Sequence, residues 1–82
     1  MSATIINVDG TTTDIGHEPT LKEAQGIVGG FVEMSSLYRN GQLIFNEDGR
    51  RLQLEYNSSA STLAGRGIVG QAIHLTGKDK WK

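Results

Sequence analysis

The densest group of residues able to do chemistry surrounds a glycine in the middle of the chain. It runs, in order, Asn46, Glu47, Asp48, Gly49, Arg50 and Arg51. A calcium loop would need more acidic oxygens and a closing glutamate, and the closing position holds Asn57. Asn, Asp and Gly also form ordinary turns, so the group is read in two ways. It is a simple turn, or it is a recognition loop held on a hairpin.

A second candidate is the glycine-rich segment Gly65–Gly70, which spells G-x-G-x-x-G. The dinucleotide fingerprint requires a strand before the loop and a helix after it. Here a helical turn is predicted before the loop and a strand after it, so a Rossmann motif is excluded. A tight turn with close backbone packing is one interpretation. The alternative is a concavity of backbone amides, with Arg66 beside it, that holds a phosphate or carboxylate.

The remaining reactive side chains form no catalytic constellation. His17 and His74 are far apart, and each suits a structural role, on a surface loop and in a sheet respectively. Ser58, Ser59 and Ser61 have no activating base near them in the sequence. The chain contains no cysteine, which excludes disulfides and cysteine-ligated metals. We therefore expect a protein that is not an enzyme, with no metal site and no cofactor.

Charge and composition limit the class of protein. The 82 residues have a formal net charge of −1, which disfavours nucleic-acid binding. Acidic residues predominate up to Gly49 and basic residues from Arg50 onward. Folding mixes these halves, or it leaves a basic face for an anionic ligand or opposite faces for self-association. No apolar run approaches the roughly 20 residues of a membrane span, and no signal peptide is recognisable. We expect one domain, residues 1–82, in the cytoplasm.

The elements that must position these residues begin with a hairpin and a helix. Residues 4–8 are β-branched and predict a strand, with a two-residue turn at Asp9-Gly10 and a return strand over 11–15. Thr20 and Glu23 match a capping box, which predicts a helix start. Its apolar stripe comprises Leu21, Ala24, Ile27 and Val28, and the helix is expected to end at Gly29-Gly30.

The middle of the chain predicts a three-stranded antiparallel meander. Strands are expected over 31–37 and 42–46, joined at Asn40-Gly41, the strongest hairpin signal in the chain. After the polar turn, residues 51–56 alternate, with Leu52, Leu54 and Tyr56 on one face. That alternation predicts the third strand.

The last third predicts a loop with a short helical turn over 57–64, then a central strand over 67–76 that is apolar on both faces. Residues 77–82 form a basic tail with Trp81. Such a tail is solvated, stacks on a nucleic-acid strand or packs on a neighbouring subunit. The whole pattern predicts an α+β fold, with one short helix packed on a mostly antiparallel sheet of four to five strands.

Four short motifs in this order resemble one family. They are I-V-G-G-F-V-E at Ile27–Glu33, N-E-D-G at Asn46–Gly49, Asn57 itself, and I-V-G-Q-A at Ile68–Ala72. Together they are similar to the small phage, plasmid and mobile-element proteins grouped as domain of unknown function 3846. The resemblance extends from Leu21 to Leu75. It does not include the first hairpin or the Trp81 tail. The asparagine of the family pattern is often followed by proline, and here Asn57 is followed by Ser58. It implies a phage or mobile-element origin and no established activity.

These observations favour a non-enzymatic module that binds a host protein stoichiometrically. The alternatives are an oligomer that sequesters an anionic, nucleotide-like small molecule, and a weak binder of single-stranded nucleic acid. Membrane contact is not expected, and self-association into a homo-oligomer is compatible with the charge pattern. The candidate binding residues are Asn46, Glu47, Asp48, Arg50, Arg51, Asn57, Arg66 and Gly67.

Overall fold

The computed structural model describes residues 3–37 and 41–77. In chain order its elements are β1 (Ala3–Ile6), β2 (Thr12–Asp14), α1 (Leu21–Val28), β3 (Val32–Leu37), β4 (Gly41–Asn46), α2 (Ser58–Ala64) and β5 (Ala72–Leu75). The strands form one five-stranded sheet in the order β2-β1-β5-β4-β3, and every neighbouring pair is antiparallel. The predicted α+β class and antiparallel sheet are confirmed. Asn40 and the tail after Gly77 lie outside the described residues.

Both faces of the sheet are covered, each by one helix. Successive side chains of a strand point to opposite faces, so Ile44 faces away from Leu43 and Phe45. Ile44 belongs to the apolar cluster that contains α1 residues, whereas Leu43 and Phe45 belong to the cluster that contains α2 residues. The sequence predicted one short helix on the sheet and a helical turn over 57–64, and the structure extends that turn into a second short helix, Ser58–Ala64.

The first hairpin is confirmed, but its turn is longer than predicted. Asn7 N donates to Thr11 O at 2.9 Å, and Gly10 N donates to Asn7 O at 3.0 Å. Three residues therefore lie between the last paired positions, with Gly10 in the left-handed region at φ 92°. Asp9 stabilises the turn by accepting from the hydroxyl of Thr11 at 2.6 Å and from its amide at 2.9 Å. These bonds lower the pKa of Asp9.

The predicted start and end of α1 are confirmed. The Thr20 hydroxyl accepts from Glu23 N at 3.1 Å, and the Glu23 carboxylate accepts from Thr20 N at 2.8 Å. Gly29 ends the helix in the left-handed conformation at φ 84°. Ala24 and Val28 are buried against the sheet, but Leu21 is 55% exposed. The apolar stripe therefore starts one turn later than predicted.

The predicted strand over residues 51–56 is wrong. Residues 47–53 form consecutive turns, in which Leu52 N donates to Asp48 O and Gln53 takes a left-handed φ of 58°. Leu52 is 47% exposed and Tyr56 57% exposed, so they do not form a buried face. The reason is topological: β4 already has β3 on one side and β5 on the other, which leaves no free edge for a third strand of a meander.

The last strand takes the central position that its apolar composition predicted. β5 lies between β1 and β4, and Ala72, Ile73 and Leu75 are fully buried. It begins at residue 72 rather than 67, because the backbone of Ile68 bonds to Ser61 Oγ and Asn57 N, and Gly70 N donates to Glu55 O. Among the described residues, no helix is long and apolar enough to cross a bilayer.

Candidate functional site

One cleft, with a volume of about 280 Å³, brings together most of the predicted site. It lies on the α2 face of the sheet, between the turn after β4 and the loop before β5. The predicted residues that line it are Asn46, Glu47, Asp48, Arg50, Arg51, Arg66 and Gly67. The two candidate motifs, which are 14 residues apart at their nearest ends, therefore form two walls of one site.

Asn46 holds the turn wall in place. Its side-chain Nδ2 donates to Val28 O at 2.9 Å, and its Oδ1 accepts from Asp48 N at 2.7 Å. Only 4% of Asn46 is exposed. The residue therefore connects the end of α1 to the turn, and it positions Glu47 and Asp48 rather than offering a free amide to a ligand.

Arg50 joins the two walls. Its Nη2 donates to Gly67 O at 3.1 Å. A Cβ at position 67 would lie 2.7 Å from the same Nη2 and 3.9 Å from the ring of Tyr56. Glycine at this position therefore permits the guanidinium group to approach the loop backbone closely.

Arg66 covers the aromatic floor of the cleft. Its guanidinium carbon lies 5.3 Å from the centre of the Phe45 ring, which is within range of a cation–π interaction. Phe45 is buried in the cluster beneath α2, whereas Arg66 is exposed. This stacking leaves the edge of the guanidinium plane available for hydrogen bonds, and those donors suit a carboxylate or phosphate.

The cleft is lined by equal numbers of acidic and basic side chains. Arg50, Arg51 and Arg66 share its lining with Glu33, Glu47 and Asp48. Asp48 and Arg51 form an exposed ion pair with 3.3 Å between Oδ2 and Nη2. The acidic and basic halves of the chain therefore meet at this site, rather than forming the separate basic face that was one expectation.

Asn57 is the one predicted residue that the structure places elsewhere. It is fully buried and outside the cleft lining. Its Nδ2 donates to Ile6 O and to Gly70 O, each at 2.9 Å, and its Oδ1 accepts from Ala60 N at 3.0 Å. Its inclusion among ligand-contacting residues is corrected, because all these side-chain contacts are within the fold.

Glu33 and Phe45 also line the cleft, although their sequence patterns did not predict them as site residues. They are directly paired across β3 and β4, on the α2 face of the sheet. In the sequence, Phe45 has the pattern of an ordinary core residue and Glu33 that of an exposed strand residue. The only signal that they belong to the site is their pairing across β3 and β4, which depends on the register of the two strands.

The glycines of the Gly65–Gly70 segment serve turn formation and packing. Gly65 ends α2 with φ 71°, and Gly70 has φ 79°. A Cβ at Gly70 would lie 2.7 Å from Leu54 Cδ1. The order is helix, loop and strand, as predicted, which is the reverse of a dinucleotide-binding unit.

The two histidines are not brought together. His17 Nε2 lies 3.1 Å from Glu23 Oε2 at the exposed start of α1, and His74 lies in β5. Within residues 3–37 and 41–77, no group of three or more His, Asp or Glu side chains is arranged to hold a metal ion.

Comparisons with protein-family models, with curated proteins and with solved structures gave no match. The function is therefore inferred from the geometry of the cleft. The resemblance to domain of unknown function 3846 stays a prediction that is based on the four short motifs.

Proposed function

We propose that this protein is a non-enzymatic binding module that acts stoichiometrically on a partner protein through the cleft. Action on a bacterial host protein, in the cytoplasm and from a phage or mobile element, is the part of the proposal that depends on the sequence resemblance. The protein–protein part depends on the chemistry of the cleft.

The observation that carries the proposal is the exposed Arg66 stacked on the buried ring of Phe45, between walls of mixed charge. Arginine and aromatic side chains are enriched among the residues that dominate binding energy at protein interfaces. A guanidinium group that is already held over a ring loses less side-chain freedom on binding than a free arginine does. Arg50 and its bond to Gly67 O hold the adjoining walls together.

The small size of the cleft favours side chains of a protein over a complete organic ligand. Ligand pockets usually enclose about 300–1,000 Å³, and the cleft is slightly smaller, at about 280 Å³. A partner that places one carboxylate near Arg66 and one basic group near Glu33 or Glu47 would match the balanced charges. Balanced charges of this kind increase specificity more than raw affinity.

Affinity capture from a bacterial lysate tests the proposal, with the wild type beside Arg66→Ala and Gly67→Ala. The first variant removes the stacked cation, and the second displaces the Arg50 guanidinium from the loop. Lys22→Ala is the matched control, because Lys22 is exposed on α1, which covers the opposite face. Circular dichroism establishes that each variant is folded.

We expect one protein to co-purify at fixed stoichiometry with the wild type and with Lys22→Ala. Its recovery should fall at least tenfold with Arg66→Ala, which corresponds to about 1.4 kcal/mol. Equal recovery with all four proteins would contradict the assignment of the cleft as the binding surface.

A second candidate function is sequestration of a small anion, and the three arginines lining the cleft favour it. Titration calorimetry with inorganic phosphate and with a nucleoside monophosphate tests this alternative directly. It predicts saturable binding that Arg66→Ala abolishes while the fold is unchanged. Absence of binding by the wild type at millimolar ligand, or unchanged affinity in the variant, would contradict it.

Single-stranded nucleic-acid binding is a weaker alternative. The carboxylates that line the cleft oppose a polyanion, and the tail with Trp81 lies outside the described residues. This function predicts affinity for a homopolymeric oligonucleotide that falls steeply with salt and is lost on removal of residues 78–82. Fluorescence anisotropy at two salt concentrations distinguishes it from the other two functions.

A further inference from the structure

The two edges of the sheet differ in how well they are protected from pairing. In the described part of the chain, β2 and β3 are the outer strands, each hydrogen-bonded on one side only. β2 has three residues, all exposed and polar. β3 has six residues, Val32–Leu37, with Glu33 as its only charged side chain. It has none of the lysine, proline or bulge features that usually protect a long edge strand.

The hydrogen-bond pattern between β3 and β4 shows which backbone groups of β3 point away from β4, toward the free edge. Phe31 O accepts from Glu47 N at 2.8 Å, next to the Val32–Asn46 pair. Hydrogen-bonded and non-hydrogen-bonded pairs alternate in an antiparallel ladder. The amides and carbonyls of the even-numbered residues therefore point away from β4. These residues are Val32, Met34 and Ser36.

The side chains of β3 suit a second copy of the same strand. Met34 is 45% exposed, although it is apolar and lies at the middle of the edge. Antiparallel pairing about a two-fold axis at Met34 places each Val32 opposite Ser36 of the partner subunit. On the other face, each Glu33 lies opposite the partner's Ser35, whose hydroxyl can donate to the carboxylate. This register opposes no like charges directly, and every outward backbone group of the even-numbered residues finds a partner.

We propose that β3 is a homodimer interface, in which two copies pair antiparallel about a two-fold axis at Met34 and form one continuous ten-stranded sheet. The occupant is a second copy because the strand is self-complementary in this register, in charge and in hydrogen bonding. The short polar β2 gives no comparable alternative. This inference does not depend on the proposed function, although Glu33 of β3 also lines the cleft.

The pairing also affects the cleft. Glu33 lines it, so the partner's Ser35 would lie at its rim. A two-fold axis perpendicular to the sheet keeps each face on its own side, so both clefts open on the same side of the dimer. One target protein that carries two binding sites could then engage both clefts of the dimer with increased avidity.

Analytical ultracentrifugation of the full chain tests the interface over a wide range of concentration. We expect the wild type to change from monomer to dimer as the concentration rises. Met34→Lys should abolish the dimer, because it places two cations opposite each other at the centre of the interface. Thr12→Lys, an equivalent change on the opposite edge, should dimerise like the wild type. Circular dichroism establishes that both variants are folded.

Cysteine cross-linking tests the register independently, because the natural chain has no cysteine. The two Met34 Cα atoms would lie about 5.5 Å apart, which is within the range that a disulfide can join. The two Ser36 Cα atoms would be displaced by four residues, or about 14 Å along the strand. Oxidation should therefore give a covalent dimer with Met34→Cys and not with Ser36→Cys.

Three results would overturn the proposal. The first is a wild type that stays monomeric at every concentration. The second is a dimer that survives Met34→Lys or is equally weakened by Thr12→Lys. The third is a cross-link that forms as readily through Ser36→Cys as through Met34→Cys.

Discussion

The two helices of this protein begin with the same kind of chemistry in opposite surroundings. Thr20 starts α1 at the surface, where it and Glu23 satisfy each other's backbone amides within one turn. Asn57 starts α2 in the interior, where it caps Ala60 N and also bonds two carbonyls that are distant in sequence. The first cap is a local device, whereas the second joins helix, sheet and loop.

The buried cap continues into the cleft. Ser61, one turn after Asn57, accepts from Ile68 N through its hydroxyl at 2.7 Å and donates to Asn57 O at 2.7 Å. Ile68 itself lines the cleft, next to Arg66 and Gly67. The interior network of α2 therefore positions Arg66 and Gly67, and the exposed cap of α1 has no such role. The comparison shows that a cap residue contributes to a functional site when it also makes hydrogen bonds to elements outside its own helix.

The largest effect is expected at the interior cap. Asn57→Ala removes three hydrogen bonds and leaves the carbonyls of Ile6 and Gly70 buried without this donor. We expect the free energy of unfolding to fall by about 2–4 kcal/mol, measured by urea denaturation. A loss below about 1 kcal/mol would show that the interior cap is no more important than a surface one.

Ser61→Ala should have the next largest effect. It leaves the buried Ile68 amide without its acceptor, and we expect a loss of about 1–3 kcal/mol in urea denaturation. Because Ile68 lines the cleft, binding of the captured partner should also weaken. Ser59→Ala is the control, because Ser59 is exposed on the same helix. If both variants bind equally, the hydroxyl of Ser61 does not position the cleft.

Thr20→Ala tests the local cap. We expect a loss of about 1 kcal/mol, which is typical of a surface N-cap, with unchanged binding at the cleft. Thr62→Ala, an exposed substitution on α2, should change stability much less. An effect of Thr20→Ala as large as that of Asn57→Ala would remove the distinction between the two caps.

The smallest effect is expected from the ionisation of Glu23. The backbone amide of Thr20, followed by the hydrogen bond with His17, lowers the pKa of Glu23. A carboxyl group whose pKa is lower in the folded state stabilises the fold fully above its unfolded pKa, and this contribution is lost as the pH falls through the folded value. Thermal unfolding between about pH 3 and pH 6 should therefore show a shallower acid loss for Glu23→Gln than for the wild type. Identical pH profiles would contradict a role for the Glu23 charge.

The features that could be predicted from the sequence are those with short-range causes. The capping box at Thr20, the left-handed stop at Gly29 and the first hairpin all depend on residues within a few positions of one another. The failed strand over 51–56 shows the limit of this reasoning. Its alternation was genuine, but the edge it needed was occupied by β5, which is distant in sequence.

The candidate site shows the same division. Its polar turn and its arginine loop were recognisable from residue types, because charged side chains beside glycines mark exposed turns. Their union in one cleft, with Phe45 as the floor and Glu33 at the rim, depended on the pairing of β3 with β4. Asn57 was misassigned because its sequence environment is that of an exposed loop, while its bonds are buried.

The amino-acid sequence by itself determined the fold class, the ends of α1, most of the strands and seven of the residues around the cleft. Local propensities, caps and turns act over a few residues, so they can be read along the chain. Only the tertiary structure decided the strand order, the second helix on the other face and the meeting of acidic and basic halves at one cleft. Those features arise from contacts between segments that are distant in sequence. Local propensities are compatible with many arrangements of the same elements, and burial and backbone hydrogen bonding select one of them.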